Sequence, residues 1–555
     1  MQQMTLNRRR VLGLFSASTA LALPGCATVG GSALPVRFQH GVASGDPAAD
    51  GAVIWTRVSV DAVRSPDVPV RWIVSTRPGG PAVRSGMATA RVSADHTVKV
   101  EVAGLASGRE HWYRFEAPDG TISPEGRFRT LPVGAASEVV IAATSCQLYP
   151  GGYFNAWAHL AQAARLDAVV MLGDYIYEYG SDGYGADIGR SLGRLPDPPH
   201  ETVTLADYRR RHAQVKADPD MQAAHARAAF ICVWDDHEVT NDSWIGGAEN
   251  HQPETEGDWR ARKAAAMQAY FEWMPIREPR HGQAREAIFR SFEFGDLATL
   301  AMLETRLLAR HEQAAFKGET PGAEEIAPVL AERARPAREL LGRDQSAWLQ
   351  QVLTASAKAG KPWQIIGNQT VMARVAGLDL ERSMGQRDYA ALLARLPVQW
   401  QSRVQDAQAG YRAGIPFNLD SWDGYPAARA RLYRLIGSSG TRSIMLAGDS
   451  HAGWANNLHD DAGNLVGLEA GCTAITSPSY GSLLPGIGRY IQEANHEVAY
   501  CNQDKKGYTL LTLTPVLAKA EFITVSTVQD RQFDAATDAV FTTGAGRSFG
   551  AWKRV

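Results

Sequence analysis

The chain has 555 residues, 45% hydrophobic and 21% charged, enough to bury a large core and to build more than one domain. Lys and Arg number 57 against 59 Asp and Glu, for a formal net charge of -2. That balance excludes recognition of nucleic acid or of an anionic membrane through bulk charge, so a phosphate-bearing partner has to be recognised locally.

Residues 1–33 read as an export signal. Asn7, Arg8, Arg9, Arg10, Val11 and Leu12 match the twin-arginine pattern, and the apolar stretch from Val11 to Leu23 is too short to span a bilayer comfortably. An ordinary secretory signal carrying three arginines is the alternative. Leu23-Pro24-Gly25-Cys26 resembles a bacterial lipoprotein cleavage box with Pro24 out of pattern, which makes Cys26 a candidate lipid anchor. The expectation is a periplasmic or cell-envelope protein whose partner during export is the twin-arginine machinery. The remaining cysteines, Cys146, Cys232, Cys472 and Cys501, form no CxxC pair, and a Cys472–Cys501 bridge stays open in an oxidising compartment.

From 36 to 132, short alternating runs such as AVIWTRV, VRWIVSTR, TVKVEVAG and HWYRFEA are separated by Gly, Pro and Asp turns. This pattern predicts an antiparallel β-sandwich similar in kind to fibronectin type III domains, with a structural role. From 138 to 530 strands alternate with helical stretches, the texture of a layered α/β domain. EVVIAATSC, AVVMLGD and FICVWDDHE read as strands, with helix at 155–165 and 205–229. Helices are expected over 259–274 and 345–358, a strand pair in RSFEFGDLATLAMLET, and a covering insertion over 384–416. The tail, 531–555, is either a lid or a surface element.

Chemistry-bearing residues stand just beyond apolar runs: Cys146; Asp174 and Tyr177; Asp236, His237 and Asn241; Asp449 and His451. Each has a bland alternative: Asp174 as a helix cap, Cys146 as a small buried hydrophobe, Tyr177 as a core aromatic, His451 as a core histidine, Asn241 as a turn residue. Their shared placement argues otherwise, because strands in one sheet bring such residues to one carboxyl edge. Asn368 and Gln369 after IIG add amide oxygens. Carboxylates, imidazole and amides suit divalent cations, and a thiolate with a phenolate suits ferric iron.

Taken together, SGDPAADGAVIWTRV, TSCQ, GDYIYE, VWDDHEVTNDSW, IIGNQTVM, FNLDSWDGYP and GDSHAGWANNL resemble the PhoD-type alkaline phosphatases of the calcineurin-like metallophosphoesterase superfamily, from about Phe38 to Thr527. The resemblance implies a layered α/β/β/α domain, iron and calcium as cofactors, and phosphate esters as substrates. It further implies that Asp174 bridges two cations, that Cys146 and Tyr177 bind iron, and that Asp236, Asn241, Asp449 and His451 complete the set. Asn241 doubles as a candidate substrate contact. Hydroxide generated at the bridged pair would attack phosphorus in line, with His237 protonating the leaving oxygen or else orienting Asp236. Monoester and diester substrates, the latter making the enzyme a phosphodiesterase or phospholipase D, both fit. A serine hydrolase using Ser450 in Gly448-Asp449-Ser450-His451-Ala452 is the reading from another class.

Overall fold

The computed structural model describes residues 35–60, 66–316, 323–396 and 398–555. The expected export signal and Cys26 lie outside them.

Seven strands build most of the N-terminal region: β1 (Val42–Ala48), β2 (Gly51–Arg57), β3 (Val68–Ser75), β4 (Ala82–Ala90), β5 (Thr97–Val102), β6 (Glu110–Glu116) and β7 (Gly126–Arg129). Alternation does what the sequence leads one to expect: in β6, His111, Tyr113 and Phe115 point inward while their neighbours are partly exposed. The order β4-β3-β6-β7 makes an antiparallel sheet, whose Val70, Val74 and Phe115 pack on Ile54, Val98 and Val102 of the β1-β2-β5 layer.

That second layer does not end with the N-terminal region. β1 pairs in parallel with the later strand β10 (Ala229–Cys232), placing Ser44 opposite Ala229. With β8 (Val139–Thr144) and β9 (Ala168–Met171), these strands form the middle of a sheet that the C-terminal chain extends antiparallel on the other side.

A second sheet contains β11 (Arg290–Phe294), β12 (Ala298–Met302), β13 (Trp363–Gly367), β14 (Ser443–Ala447), β15 (Gly453–His459), β16 (Leu465–Gly471) and β17 (Val498–Asn502), in the order β11-β12-β13-β14-β16-β15-β17. The edge of the first sheet consists of β18 (Lys506–Leu513), β19 (Leu517–Val525), β20 (Ala535–Gly544) and β21 (Lys553–Arg554). The tail from 533 onward thus pairs as sheet edge, with Phe541, Phe549 and Trp552 in the core.

The strand period of two explains the layering. Ile365 joins a core shared with Ile141, Val170 and Leu511 of the first sheet, whereas the next residue, Ile366, joins a core with Leu349 and Leu432 of the helices Gly342–Lys358 and Pro426–Ser438. The stretch expected to be one helix over 205–229 is split: Thr204 and Asp207 close a capping box on Leu205–Ala217, and Asp218 caps a fresh helix, Pro219–Arg227, with Pro219 at its first position. Cys472 and Cys501 are free and buried, so no bridge joins them. Among the described residues no helix is long and apolar enough to cross a membrane.

Candidate metal centre

The sequence-derived ligands meet at the carboxyl ends of strands from two sheets, not one. Cys146, Asp174 and Asp236 follow β8, β9 and β10 of the first sheet, and Asp449 and His451 follow β14 of the second. The ends are laced together: Cys146 N–H donates to Gly173 O (3.3 Å), Gln147 N–H to Asp174 O (3.0 Å) and Cys472 N–H to Ala447 O (2.9 Å). At Gly173 a Cβ would fall 2.3 Å from Asp235 Cβ, so β9 and β10 approach this closely only because the side chain is missing. Cys146, Asp174, Asp449 and His451 all adopt positive φ, between 56° and 60°. Non-glycine residues held there cost free energy that the surrounding structure offsets, and such strain gathers at functional sites.

Three overlapping groups result, each with ligand atoms within 4.8 Å of one another: Cys146, Asp174 and His451; Asp174, Asp236 and His237; and Asp235, Asp236 and Asp449. Tyr177 joins the first, its hydroxyl donating to Asp174 Oδ2 (2.9 Å) and lying 3.3 Å from His451 Nε2 and 2.7 Å from Ser477 Oγ. Among the described residues, Asp174 Oδ1, Asp235 Oδ2 and Asp236 Oδ1 are buried without a hydrogen-bond partner. Buried carboxylate oxygens without partners are costly unless cations meet them, so this donor set fits a metal centre.

The surroundings fix charge and orientation. Burial, then Asp174, push the Cys146 thiol well above its ordinary range, and burial, then Asp174, do the same to the Tyr177 phenol. A cation binding there has to displace both protons. Burial and Lys506 press His451 down to about 3, leaving the neutral imidazole that metals need. His237 is the opposite case. Burial disfavours its charge, but Glu178, Asp236 and Asp174 override burial and hold it well above the usual imidazole range. Its Nδ1 lies 2.7 Å from Glu178 Oε2, and its ring lies 4.2 Å from that of Tyr177.

Arg306 and Glu178, both at the centre, were not singled out from sequence, whereas Glu238 was expected to be structural. Arg306, after β12, is completely buried; Nε donates to Asp235, Nη1 to both oxygens of Asp420 (2.8 and 2.7 Å) and Nη2 to Asp449 (3.4 Å). Nothing local marked it: Glu304, not Arg306, is the first charge beyond the apolar strand. Glu178 also accepts from Thr240 Oγ1 (3.1 Å), Asn241 N–H (2.8 Å) and Asn250 Nδ2 (3.1 Å). Glu238 takes the structural part: its carboxylate accepts the backbone N–H groups of Asp174 (3.1 Å), Tyr175 (2.6 Å) and Asp235 (2.7 Å).

Other candidates are engaged elsewhere. The Asn241 side chain donates to Glu249 (2.6 Å). Asn368 Oδ1 accepts from the Trp422 indole (2.8 Å), and Gln369 Oε1 from Thr305 (2.5 Å), so both amide oxygens are used within the fold. Ser450 Oγ accepts from the Trp454 indole (2.7 Å), and His451 Nδ1 faces Pro478 O (2.6 Å) instead of Ser450, which leaves the serine-hydrolase reading without its base.

The chain is similar to known proteins over most of its length. Residues 141–522 match the PhoD-like phosphatase family, and residues 25–132 match the PhoD-like phosphatase N-terminal domain. Alkaline phosphatase D of Bacillus subtilis (strain 168) is 34% identical over 521 residues, covering 91% of this chain and 80% of that protein. A solved structure of PhoD superposes with a TM-score of 0.75 at 32% identity, covering 95% of this chain and 93% of that one. With both matched segments on one chain and a relative aligned over most of its length, this chain belongs to the PhoD-like phosphatase family.

Proposed function

We propose that this protein is an exported, metal-dependent alkaline phosphatase that hydrolyses phosphate esters. The observation that carries the reading is Asp174: it belongs both to the group with Cys146 and His451 and to the group with Asp236 and His237, and its Oδ1 has no hydrogen-bond partner among the described residues. Cys146, Asp174, Tyr177 and His451 would hold one cation, for which thiolate and phenolate favour iron. Asp174, Asp236, Asp235 and Asp449 would hold a hard cation, which the family resemblance implies to be calcium. Bound there, cations supply neutralisation of the phosphoryl oxygens and an acidified water.

The chain's own groups do the rest. Glu178 fixes the His237 ring through Nδ1, leaving Nε2 to hand a proton to the leaving oxygen. Glu238 holds the backbone of Asp174 and Asp235 in register. Arg306 balances the carboxylates of Asp235, Asp420 and Asp449 while the centre assembles. Asn241, whose N–H is anchored on Glu178, is kept as an oxygen ligand or substrate contact. We read the architecture as a fibronectin-III-like sandwich over 36–132 and an α/β/β/α domain over 138–530, with 1–33 directing twin-arginine export to the periplasm or cell envelope.

The test is purification without added metal, elemental analysis, a visible spectrum and phosphate release from p-nitrophenyl phosphate. Iron, calcium and a phenolate-to-iron band that vanish with activity on chelation are expected. Full activity in metal-free protein would overturn the reading. Replacing Arg8 and Arg9 by Lys should abolish export, and unchanged secretion would sink that part.

A further inference from the structure

The segment 477–487 leads from the metal centre into an apolar cavity. Pro478 O accepts from Tyr184 OH (2.7 Å) and lies 2.6 Å from His451 Nδ1, and Ser479 Oγ accepts from Lys506 Nζ (2.8 Å). The next residue, Tyr480, already lines a cavity of about 250 Å3, together with Leu483, Leu484 and Ile487. A second segment makes the same passage: Phe417 lines the cavity, and Asp420, three residues on, holds Arg306. The Phe417 and Tyr480 rings, both lining the cavity, meet edge to face with centroids 5.2 Å apart.

The remaining wall comes from the covering insertion, 384–416, and the short helix that precedes it. Leu380, Leu392, Leu396 and Val404, from the stretch containing helices Leu380–Met384, Gln386–Arg395 and Val398–Arg412, face the same space. The polar lining residues are Arg403, Gln408 and the tyrosines Tyr411 and Tyr480. Tyr480 and Leu483 are 54% and 49% exposed, so apolar surface opens to water beside a strongly charged site. A concave apolar pocket whose wall is carried by the same segments that border a reaction centre is suited to hold part of what reacts there. Its lining offers little to a sugar or polyol.

We propose that this cavity binds an unbranched alkyl or acyl substituent of the phosphate ester turned over at the adjoining centre. The proposal rests on the phosphoesterase reading above.

The experiment uses the full-length holoenzyme and p-nitrophenyl alkyl phosphates from methyl to octyl, kept below micelle formation, with p-nitrophenyl phosphate as the reference substrate. Where only the reference is hydrolysed, alkyl monophosphates of the same lengths are read by phosphate release. We expect kcat/KM to rise about three- to fourfold per methylene, the ratio that burial of one methylene gives, until the cavity is full. Leu392→Asp and Leu484→Asp should flatten the series while leaving the methyl ester within about twofold of wild type, the control for a pocket distinct from the chemistry. Leu484→Trp, which keeps the wall apolar, should shorten the chain length at which the rise stops. A flat wild-type series, or a slope untouched in all three variants, overturns the proposal. A flat series with self-association lost in Leu484→Asp would give the cavity to a second copy of the chain, and also overturns it. Failure to hydrolyse the reference substrate removes the phosphoesterase reading itself, and the cavity proposal with it.

Discussion

Arg306→Met isolates the charge balance of the centre. In the native chain one buried guanidinium donates to Asp235 through Nε, to Asp420 at 2.8 and 2.7 Å and to Asp449 at 3.4 Å, with Asp236 Oδ1 at 3.7 Å. Removing one partner from a buried ion pair costs about 3–5 kcal/mol, because the other charge stays behind without compensation. Here more than one carboxylate loses its partner, so the upper part of that range is expected in metal-depleted protein. Arg310 still reaches Asp420, which limits the loss on that side. Arg306→Lys keeps the charge but not the planar fork, and should cost about 1–3 kcal/mol. Urea unfolding followed by tryptophan fluorescence, in metal-depleted and metal-loaded protein, reads both variants. Added cations should recover part of the Met variant's loss, since ligands that bind only the folded state stabilise it. Asp420→Asn completes a double-mutant cycle, and the double variant should lose about 1–3 kcal/mol less than the sum of the singles. A Met variant within about 0.5 kcal/mol of wild type, or additive losses in the cycle, would refute the account of Arg306 as the counter-charge.

Lys216 is buried beside His225 Nε2 (3.0 Å), with its ammonium 4.6 Å from the Trp55 ring centroid. Burial lowers it from 10.5 to about 7, so below pH 7 both folded and unfolded chains are charged and the folded state bears the full penalty. As pH rises from 7 towards 10.5 the folded chain loses its proton first and stability grows. Allowing for the aromatic contact, Lys216→Met should stabilise by about 3 kcal/mol at pH 6 and by progressively less towards pH 10; equal shifts in thermal midpoint at both ends would contradict this. His237→Ala should lower turnover most for esters with poor leaving groups and least for p-nitrophenyl phosphate, and an equal loss on both would assign the ring to orientation alone. Because Cys146, Cys232, Cys472 and Cys501 are free, a reductant should leave the metal-depleted protein's thermal midpoint unchanged; a fall would reveal a disulfide.

The short-range features of this chain were written in its order of residues. Alternation in HWYRFEA, the glycine before Asp174, and the acidic and imidazole groups within VWDDHE and MLAGDSH are local, and local patterns survive whatever packs on them. They named Cys146, Asp174, Tyr177, Asp236, His237, Asn241, Asp449 and His451 as residues of one neighbourhood. Tertiary structure decided which sheets supply them, because strand partners separated by hundreds of residues leave no periodicity to read. It also decided that β1 of the N-terminal region pairs with β10, and that Asn368 and Gln369 spend their amides on Trp422 and Thr305. Arg306 and the apolar cavity belong to the same class: a buried arginine declares its partners, and leucines from separate segments declare a shared space, only when the chain has brought them together.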